Sequence, residues 1–492
     1  MNKSSTTATR SLQAMLLPLA LTQFVASYAG TNMNVAVSNI AHDLETTVIG
    51  IQTTITLFTL TMAALMIPGS KLTDIWGRKS CFMLGLSVYG LGALIATFAP
   101  NLGILIFGYS LLEGTGSALM IPPIYILTTV LFTDLPSRAK SFGLISAAAG
   151  IGAAAGPLIG GLVTSLISWR ASFLVQVLIV ASIIFLSRRI VDPGKQGARP
   201  GFDLAGALLS ASGLFFVVLG ILQSGNYGWF TASKDFSIGN IVLIHQGGIS
   251  PVWLFVGIGA LILVWFFLHI RSRERAGLEP LLPTRLFRNR LSNLGLVTQN
   301  IQWLTLQGSF FVISVFLQTV RGFSAIQTGL LLTPATIGIL LSSMIAGRLA
   351  KKYSQRALIR TGFIITIVGM LLLLALASAT SNIFAFVPGL LFMGAGVGIM
   401  LTSSVNVVQS SFPEEEQGEI SGLSRCISNL GSSLGTAIVG SVLVSSGTPG
   451  NHPFALALIT VAIIACIGLV AAIFMPANPD SVRHLQNLPH SV

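Results

Sequence analysis

Glu113 is the residue of this chain whose type and position most clearly suggest chemistry. It stands in an apolar run that extends from about residue 102 to residue 132. At about 1.5 Å per helical residue it lies roughly 16 Å along that run, near the middle of a hydrocarbon core of about 30 Å. A charge there costs about 2.5–3.5 kcal/mol, and removal from water favours the neutral form of a carboxyl group. Such a group is suited to loading and releasing a proton. The alternative is a hydrogen-bonded acid that only joins helices.

The run around Glu113 is one of fourteen candidate membrane spans. The chain is 53% apolar and only 9% charged, against about 25% charged residues in a soluble domain. Each run provides roughly the 20 residues that a helix needs to cross a bilayer. The runs cover residues 14–40, 48–70, 80–99, 102–132, 138–167, 169–188, 204–224, 252–271, 291–320, 326–349, 357–378, 383–411, 418–445 and 453–475. This pattern predicts an all-α membrane protein surrounded by lipid.

The distribution of lysine and arginine predicts that both termini are cytoplasmic. With the N-terminus inside, 23 of the 27 basic residues fall at or beside cytoplasmic ends, which is the bias that sets membrane topology. The exceptions are Arg170, Lys234 and Arg321 outside, and Arg425 within the thirteenth span. Topology therefore explains the net charge of +12, and we predict no nucleic-acid partner.

Two shorter segments carry further expectations. The longest outer loop covers about residues 225–251, and its segment 238–245 is apolar enough for a re-entrant or interfacial piece. The acidic run at positions 414–416 and 419 is expected to be a solvated inner loop.

Signals for an enzyme, a nucleotide site or a metal site are weak. The chain has no GxxxxGK[ST] loop and no HExxH helix. The six histidines are scattered, and the three cysteines, expected to be buried, have no CxxC spacing. We therefore predict no metal, no cofactor and no enzymatic activity. A receptor or scaffold that does not transport, and a membrane enzyme, remain as alternatives without a sensor domain or a catalytic set to support them.

An internal repeat predicts the architecture. The loop after the second span reads SKLTDIWGRK at residues 70–79, and the loop after the tenth reads GRLAKKYSQR at 347–356. Three glycines of the fifth span, at positions 143, 152 and 156, recur in the thirteenth at 422, 431 and 435. These matches, and one between the fourth and twelfth spans, share an offset of 277 to 280 residues. Six spans are thus repeated in parallel, with the seventh and eighth inserted between the copies.

These motifs resemble those of the major facilitator superfamily. The loop at residues 70–79 is similar to the family signature GxLaDrxGrk, with Ser70 in place of the first glycine. The fifth span resembles the signature of the family's antiporters. The segments FDLAG at 202–206, EPLL at 279–282 and LFRNR at 286–290 are similar to the branch of 14-helix drug:proton antiporters. The resemblance covers nearly the whole chain and implies the fold and the branch, but not the substrate.

The resemblance implies two mechanical elements. A conformational latch is expected from Asp74, Gly77, Arg78 and Lys79, with the Asp74 carboxylate near the start of the thirteenth span, where it favours a helix N-terminus. The alternative for this loop is a topology anchor. A hinge is expected in the fifth span, where small residues allow close backbone approach and proline permits a kink; the alternative is plain tight packing. The hinge residues are Gly143, Gly152, Gly156, Pro157, Gly160 and Gly161.

The sequence departs from the branch at positions that bear on proton coupling. The resemblance implies an acid in the first span and an arginine in the fourth, but Ala29 and Ser110 stand at those positions. Glu113 stands where glutamine is usual. Either Glu113 has taken over proton coupling, or coupling is weak or absent.

The resemblance also implies that parts of the first, fourth, ninth and twelfth spans face a central cavity. Amides and aromatic rings with one acid suit an amphipathic substrate that is neutral or cationic. Arg425 is a further candidate that pairs with Glu113, binds an anion or extends to the cytoplasmic end. The substrate-binding candidates are Tyr28, Asn32, Asn34, Tyr109, Gln302, Trp303, Gln307, Phe310 and Arg425.

The prediction is therefore a major facilitator fold of fourteen transmembrane helices. Two six-helix bundles cover residues 1–190 and 286–492, and the inserted helices with their linkers cover 191–285. The predicted function is proton-coupled secondary export of small amphipathic molecules, of the multidrug type, by alternating access. The protein is expected to act in the cell membrane as a monomer, with lipid, substrate and protons as its partners. The alternative is a metabolite or lipid transporter on the same fold with weak or no proton coupling.

Overall fold

A computed structural model describes residues 3–132, 135–188, 190, 201–238, 241–350, 352–378, 381–413, 416–445 and 450–476. Across these ranges the chain forms fourteen long helices. They are α1 (Lys3–Asn32), α2 (Val48–Trp76), α3 (Arg78–Thr97), α4 in three pieces (Leu102–Leu105, Ile106–Glu113 and Gly114–Leu131), α5 (Leu135–Leu166), α6 (Trp169–Ser187), α7 (Leu204–Tyr227), α8 (Pro251–Arg275), α9 (Arg290–Val315), α10 (Ala325–Leu349), α11 (Gln355–Leu376), α12 (Phe386–Gln409), α13 (Gln417–Ser445) and α14 (Asn451–Phe474). The fourteen predicted spans each correspond to one of these helices.

The segments are helical because a bilayer requires every backbone group to be paired within its own segment. They are long and apolar because each must cross the hydrocarbon core. Helices α2 to α14 provide thirteen segments, each of which is long enough and apolar enough to cross a membrane. Helix α1 starts in a polar stretch and continues through a short 3-10 turn (Met33–Ala36) into a helix of seven residues, Val37–Asp43. It packs along α5, so it belongs to the same bundle.

Polar caps and one glycine set the helix boundaries. The side chain of Ser324 accepts a hydrogen bond from the Gln327 N–H, and Gln327 Oε1 accepts one from the Ser324 N–H, which forms a capping box at the start of α10. Gly77 separates α2 from α3 at φ 95°, a conformation that a residue with a Cβ rarely adopts. The loop expected at residues 70–79 is therefore reduced to Gly77, because its first seven residues belong to α2 and its last two to α3.

Helix α4 is not uniform. Residues Ile106–Glu113 form a π-helix between two α-helical pieces. A π segment inserts residues relative to the α-helical repeat and is often found at functional sites. The side chains of the second half of α4 are consequently rotated from where a regular helix would place them.

The two ends of the bundle differ in charge. One end carries the α2–α3 junction, the α8–α9 linker and the start of α13, and we call it the basic end. There Lys79 donates to the carbonyl oxygens of Arg188 and Ile190 at the end of α6. The opposite end carries Asp43, Arg170 and the α9–α10 junction.

The repeat seen in the sequence is present in the packing. In the N-terminal half (α1–α6), Gly152 of α5 lies against the backbone of Phe24 in α1. In the C-terminal half (α9–α14), Gly431 of α13 lies against the backbone of Asn300 in α9, the corresponding position. Each glycine allows two helix backbones to meet closely, as small residues do in membranes. Helices α7 and α8 pack on each other, and α7 also packs on α2 and α13.

In the outer loop, where a re-entrant or interfacial piece was expected at 238–245, strands β1 (Phe236–Ile238) and β2 (Ile241–Ile244) pair antiparallel. Two other expectations are wrong. Cys466 is exposed on α14, whereas Cys81 and Cys426 are buried. The acidic run is not simply solvated, since Glu416 and Glu419 form ion pairs; positions 414 and 415 lie outside the described residues.

Candidate substrate and proton sites

Glu113 is fully buried at the end of the π-helix of α4. Its carboxyl oxygens have no hydrogen-bond partner within the described residues. The phenol groups of Tyr89 and Tyr109 interact electrostatically with it, but Tyr89 donates its hydroxyl hydrogen bond to Gln176 Oε1 of α6. A buried carboxyl group without a donor is most stable when it is neutral. Glu113 thus lies inside the N-terminal half, between α3, α4 and α6.

Three predicted substrate contacts belong to the same interior. The hydroxyl of Tyr28 lies 2.6 Å from Ser172 Oγ of α6, which also accepts from Asn32 Nδ2 at 3.1 Å. Tyr109 donates to the carbonyl oxygen of Ala29 at 3.0 Å. These side chains join α1, α4 and α6 within one half. In this conformation they form polar contacts of the helix bundle rather than the wall of a path between the halves.

The predicted contacts on α9 lie inside the C-terminal half. Gln302 is buried with its amide 2.8 Å from Ser404 Oγ of α12. Phe310 is 1% exposed in the apolar core of this half, and Trp303 is half-buried against that core. These three residues stabilise the packing of α9 in the conformation described.

Two other predicted contacts reach across the halves. Gln307 of α9 donates to the carbonyl oxygen of Gly30 in α1 at 3.3 Å. The Asn34 carbonyl accepts from Gln318 Nε2 at 2.9 Å, and Gln318 Oε1 accepts from the Ser38 N–H at the same distance. The Asn34 side-chain amide is buried without a hydrogen-bond partner among the described residues. An unpaired buried amide is costly, so Asn34 is a candidate for contact with a ligand.

Arg425 makes the most informative contact between the halves. Its guanidinium group donates to the hydroxyl of Tyr125 in α4, and its central carbon lies 4.8 Å from the centre of the Tyr125 ring. Tyr125 in turn donates to Gln23 Oε1 of α1 at 3.4 Å. The predicted pairing with Glu113 is absent, because Tyr125 is twelve positions away from that acid on the same helix.

The loop motif holds its own half together and uses other residues to reach the second half. Lys79 caps the end of α6, as described above, and Arg78 is half-buried at the first position of α3. Two contacts across the halves, among the described residues, come from positions just before the predicted latch. Ser70 donates to the carbonyl oxygen of Gly418 at 3.3 Å, and Lys71 Nζ lies 3.3 Å from Glu419 Oε1.

A third segment joins this connection at the basic end. Arg285, in the linker between α8 and α9, pairs with Glu416 at 2.9 Å and with Glu419 at 3.7 Å. Glu419 is therefore shared between Lys71 of the N-terminal half and Arg285 of the linker. Charge patterns along the chain gave no sign of these pairs, since their members are far apart in sequence.

The predicted hinge glycines divide into three groups. Added Cβ atoms at Gly152, Gly156 and Gly160 would meet α1, at Phe24, Thr31 and Asn32. Gly161 and Pro157 face the other half instead, against the backbones of Ala325 and Gly329 in α10. Gly143 is exposed with no atom within 4 Å of an added Cβ. Gly161, Pro157 and Gly329 thus form the closest approach of α5 to α10.

A cavity of about 480 Å³ lies between the halves at the opposite end. Its aromatic lining comes from Trp169 of α6 and from Phe323 in the α9–α10 junction. Ser38 and Asp43 add polar groups to the lining. Asp43 accepts hydrogen bonds from Trp169 Nε1 and from the Arg170 guanidinium group. The bond from Arg170 lowers the pKa of Asp43 below its usual range.

Asp203 is the second carboxyl group outside the spans with a shifted pKa. It caps α7 through the Gly206 N–H, and its Oδ1 lies 2.9 Å from His269 Nε2. Its Oδ2 accepts from the Leu281 N–H at 3.2 Å and lies 3.6 Å from Arg273 Nε. Burial raises the pKa of Asp203, but the bonds from His269 and from the backbone outweigh burial, so the net pKa is lowered. This carboxylate fixes α7 to α8 and to the linker that follows.

Gln52 makes a further polar contact between the halves that was not predicted from the sequence. Gln52 of α2 is buried and donates to the carbonyl oxygens of Thr436 and Ala437 in α13, at 3.2 and 3.1 Å. Gly440 leaves space for its amide. The available signal was an amide within an apolar span, a residue type that bonds across helices in membranes.

Comparison with known proteins gives consistent results across the chain. The profile of the family described as Major Facilitator Superfamily matches residues 19–239, 236–436 and 295–487. The chain is 26% identical over 413 residues to the multidrug resistance protein Stp of Mycobacterium tuberculosis, covering 84% of this chain and 72% of that protein. It is 28% identical over 430 residues to the puromycin resistance protein pur8 of Streptomyces alboniger, covering 87% and 81%. It is 27% identical over 454 residues to the cephamycin export protein CmcT of Amycolatopsis lactamdurans, covering 92% and 89%.

Proposed function

The chain belongs to the major facilitator superfamily, and we propose that it exports small amphipathic molecules of the multidrug or antibiotic type in exchange for protons. The names of the relatives support export: they describe multidrug resistance, puromycin resistance and cephamycin export. Family and names indicate a transporter rather than an enzyme. The protein is a multi-pass membrane protein, as its many apolar helices require.

One observation carries the proposal of proton exchange: Glu113 is an acid near the middle of the apolar segment Leu102–Thr128, fully buried and without a hydrogen-bond partner among the described residues. Burial keeps such a group neutral, and ionisation requires that water or a cation reach it. Rotation of α4 or separation of α3 and α6 would provide that access. Glu113 would then release its proton on one side and take up another on the other side.

Alternating access fits the contacts between the halves. In the proposed cycle the units 1–190 and 286–492 rock against each other, with 191–285 as an inserted pair, and substrate binds between them. The Gly161–Ala325 approach would close the opposite end, and the Lys71–Glu419 pair would close the basic end. We propose that the basic end and both termini face the cytoplasm, because lysine and arginine concentrate there. A monomer in the lipid bilayer, with substrate and protons, is sufficient for this cycle.

The test is substrate-induced proton release from purified protein in detergent, measured with a pH-sensitive dye. The ligands are rhodamine 6G, chloramphenicol and fluorescein, which are cationic, neutral and anionic. The wild type is expected to release protons when a ligand binds, and Glu113→Gln is expected to bind the same ligand without release. Ser117→Ala, which removes a buried hydroxyl one helical turn away on α4, is the matched control and should release protons as the wild type does.

A second function, transport of a metabolite or lipid without proton coupling, has one observation in its favour. Ala29 and Ser110 stand where the branch has an intramembrane acid and base, and both are buried in helix contacts, with Ser110 donating to the carbonyl oxygen of Thr54 at 2.7 Å. Binding of a ligand by the wild type without any proton release would support this second function and contradict antiport.

A further inference from the structure

We propose that Arg425 binds the anionic group of the exported molecule, so that the substrates include amphipathic organic acids with a carboxylate or a similar oxyanion. This proposal rests on the proposed export function and specifies the substrate class for it. The structural basis is a cation that lies between the two halves and has no acidic partner among the described residues.

The position of Arg425 suits a substrate site. It stands eight residues after Gln417, which is about 12 Å along α13 at 1.5 Å per residue, and so within the membrane. Its guanidinium group contacts Tyr125 of α4, and Tyr125 contacts Gln23 of α1. Arg425 thus lies where helices from both halves meet, on the path that alternating access must open.

The charge of Arg425 is not neutralised by the acids of the described chain. Glu419, on the same helix, is bound to Lys71 and Arg285. Glu113 is separated from Tyr125 by twelve residues, which corresponds to about 18 Å along a helix. The face of Tyr125 compensates only in part, since an aromatic ring carries no formal negative charge. A cation at this depth is costly unless it faces water or an anion.

The guanidinium group is also available to a ligand. Arg425 is half-buried, and of its several N–H donors only Nη2 has a hydrogen-bond partner among the described residues. The planar fork of donors matches the two oxygens of a carboxylate. Asn429, half-buried one turn further along α13, lies on the same helix face and provides a side-chain amide beside it. Aromatic Tyr125 offers a flat apolar surface to the rest of an amphipathic molecule.

This helix face is the one that α13 presents to the N-terminal half. Gly422, one turn before Arg425, lies against Ser70 of α2. Ser433, two turns after it, donates to the carbonyl oxygen of Thr56 in α2 at 3.1 Å. An anion that binds Arg425 therefore enters the contact between the halves. It would replace the bond to Tyr125, which links substrate binding to movement of one half against the other.

The experiment measures binding of two dyes to the full-length protein in lipid nanodiscs by fluorescence anisotropy. Fluorescein and rhodamine 6G share a xanthene ring system but are an anion and a cation at neutral pH. We expect the wild type to bind fluorescein. Arg425→Gln should weaken that binding by about tenfold or more, because it loses a charge-assisted bond. Arg425→Lys should retain part of the affinity for fluorescein. Binding of rhodamine 6G should not weaken in Arg425→Gln.

Two further variants control for charge and folding. Arg360→Gln removes the same charge from α11, where Arg360 bonds, among the described residues, to the carbonyl oxygens of Ala472 and Ile473 in α14, and should bind fluorescein as the wild type does. Tyr125→Phe keeps Arg425 and removes its present partner, so it should bind fluorescein at least as tightly as the wild type. Tighter binding there would support the proposal even if Arg425→Gln does not fold.

Several outcomes would overturn the proposal. It fails if Arg425→Gln binds fluorescein within about twofold of the wild type, or if Arg360→Gln loses binding equally. It also fails if the wild type binds rhodamine 6G but not fluorescein; the export function then stands if rhodamine 6G is transported in proteoliposomes with an imposed pH gradient. Absence of gradient-driven transport for both dyes would contradict the export function itself, and with it this proposal.

Discussion

A Cβ atom on Gly161 of α5 would lie 2.5 Å from the carbonyl oxygen of Ala325, at the start of α10. Nonbonded carbon and oxygen atoms do not approach so closely, so the two backbones meet here only because residue 161 has no side chain. Pro157 and Gly329 make a similar contact one turn away. Closure at the opposite end of the protein thus depends on this pair of helices.

We expect Gly161→Ala to reduce transport strongly, because the methyl group pushes α10 away and leaves the opposite end partly open. The measurement is dye uptake by proteoliposomes with an imposed pH gradient. Gly143→Ala is the matched control: no atom lies within 4 Å of its added Cβ, and alanine favours a helix by about 1 kcal/mol relative to glycine. Equal transport rates in both variants would exclude Gly161 as a residue of the closure contact.

Much of the fold could be predicted from the sequence because membrane spans are set by length and hydropathy. The motif at residues 70–79 was visible as a break between two spans, although only Gly77 interrupts the helices there. The repeat could also be predicted, because Gly152 and Gly431 occupy corresponding positions in two copies of one helix contact. The pairing of strands β1 and β2 was not predicted, because the apolar residues of this loop suit an interfacial piece of any secondary structure.

The site was harder to predict because side-chain direction depends on tertiary structure. The π-helix of α4 turns Glu113 toward Tyr89 and α6, and counting residues at the α-helical repeat does not reveal such a rotation. Tyr28 and Gln302 were expected in a central cavity, yet each bonds within its own half. The partners of Glu419 lie in segments far away in sequence, which no local pattern can reveal.

Asp203→Asn is expected to destabilise the protein by about 3–5 kcal/mol, the usual cost of removing one partner from a buried ionic contact. The variant loses the charge that His269, Arg273 and two backbone N–H groups stabilise. The unfolding temperature in detergent, followed by tryptophan fluorescence, measures this effect. Asp235→Asn, in the exposed hairpin region, is the control and should unfold close to the wild type.

The same residue gives a defined pH dependence. Since the folded-state pKa of Asp203 is lowered, its carboxylate contributes stability that is fully present above the unfolded-state pKa of about 3.9. That contribution is lost as the pH falls through the lower folded-state pKa. The difference in unfolding temperature between wild type and Asp203→Asn should therefore be constant from about pH 8 to pH 5 and shrink below about pH 4. A difference that shrinks at alkaline pH would refute this assignment.

Lys71 and Glu419 should be coupled across the halves. Lys71→Gln and Glu419→Gln are each expected to reduce stability, and the double variant should lose less than their sum, with a coupling of about 0.5–1 kcal/mol because both side chains are partly accessible. Glu419→Gln should reduce stability more than Lys71→Gln does, because Glu419 also contacts Arg285. Unfolding temperatures at low and high salt measure the coupling, which should decrease with salt.

Lys79→Gln is the comparison for that pair. Lys79 bonds to the end of α6 within its own half, so its loss should be additive with Glu419→Gln. Coupling between Lys79 and Glu419 as large as that of Lys71 would mean that the predicted latch residue, and not its neighbour, holds the basic end closed.

Gln318 should control closure at the opposite end. Its amide donates to the carbonyl oxygen of Asn34 and accepts from the N–H of Ser38, each at 2.9 Å, so both groups of one side chain connect the turn after α9 (Phe316–Val320) to the segment after α1. Gln318→Met keeps the size but removes both bonds, which leaves two backbone groups without partners. We expect this variant to populate the state open at the opposite end.

The measurement is the labelling rate of Ser38→Cys, which lines the 480 Å³ cavity, by a membrane-impermeant maleimide in a cysteine-free background. Labelling should be several-fold faster with Gln318→Met than without it. Gln327→Met is the matched control, because Gln327 caps α10 within its own half and its loss should leave the rate at residue 38 unchanged. Equal labelling with and without Gln318→Met would show that the remaining contacts, such as that of Gly161 with Ala325, hold this end closed by themselves.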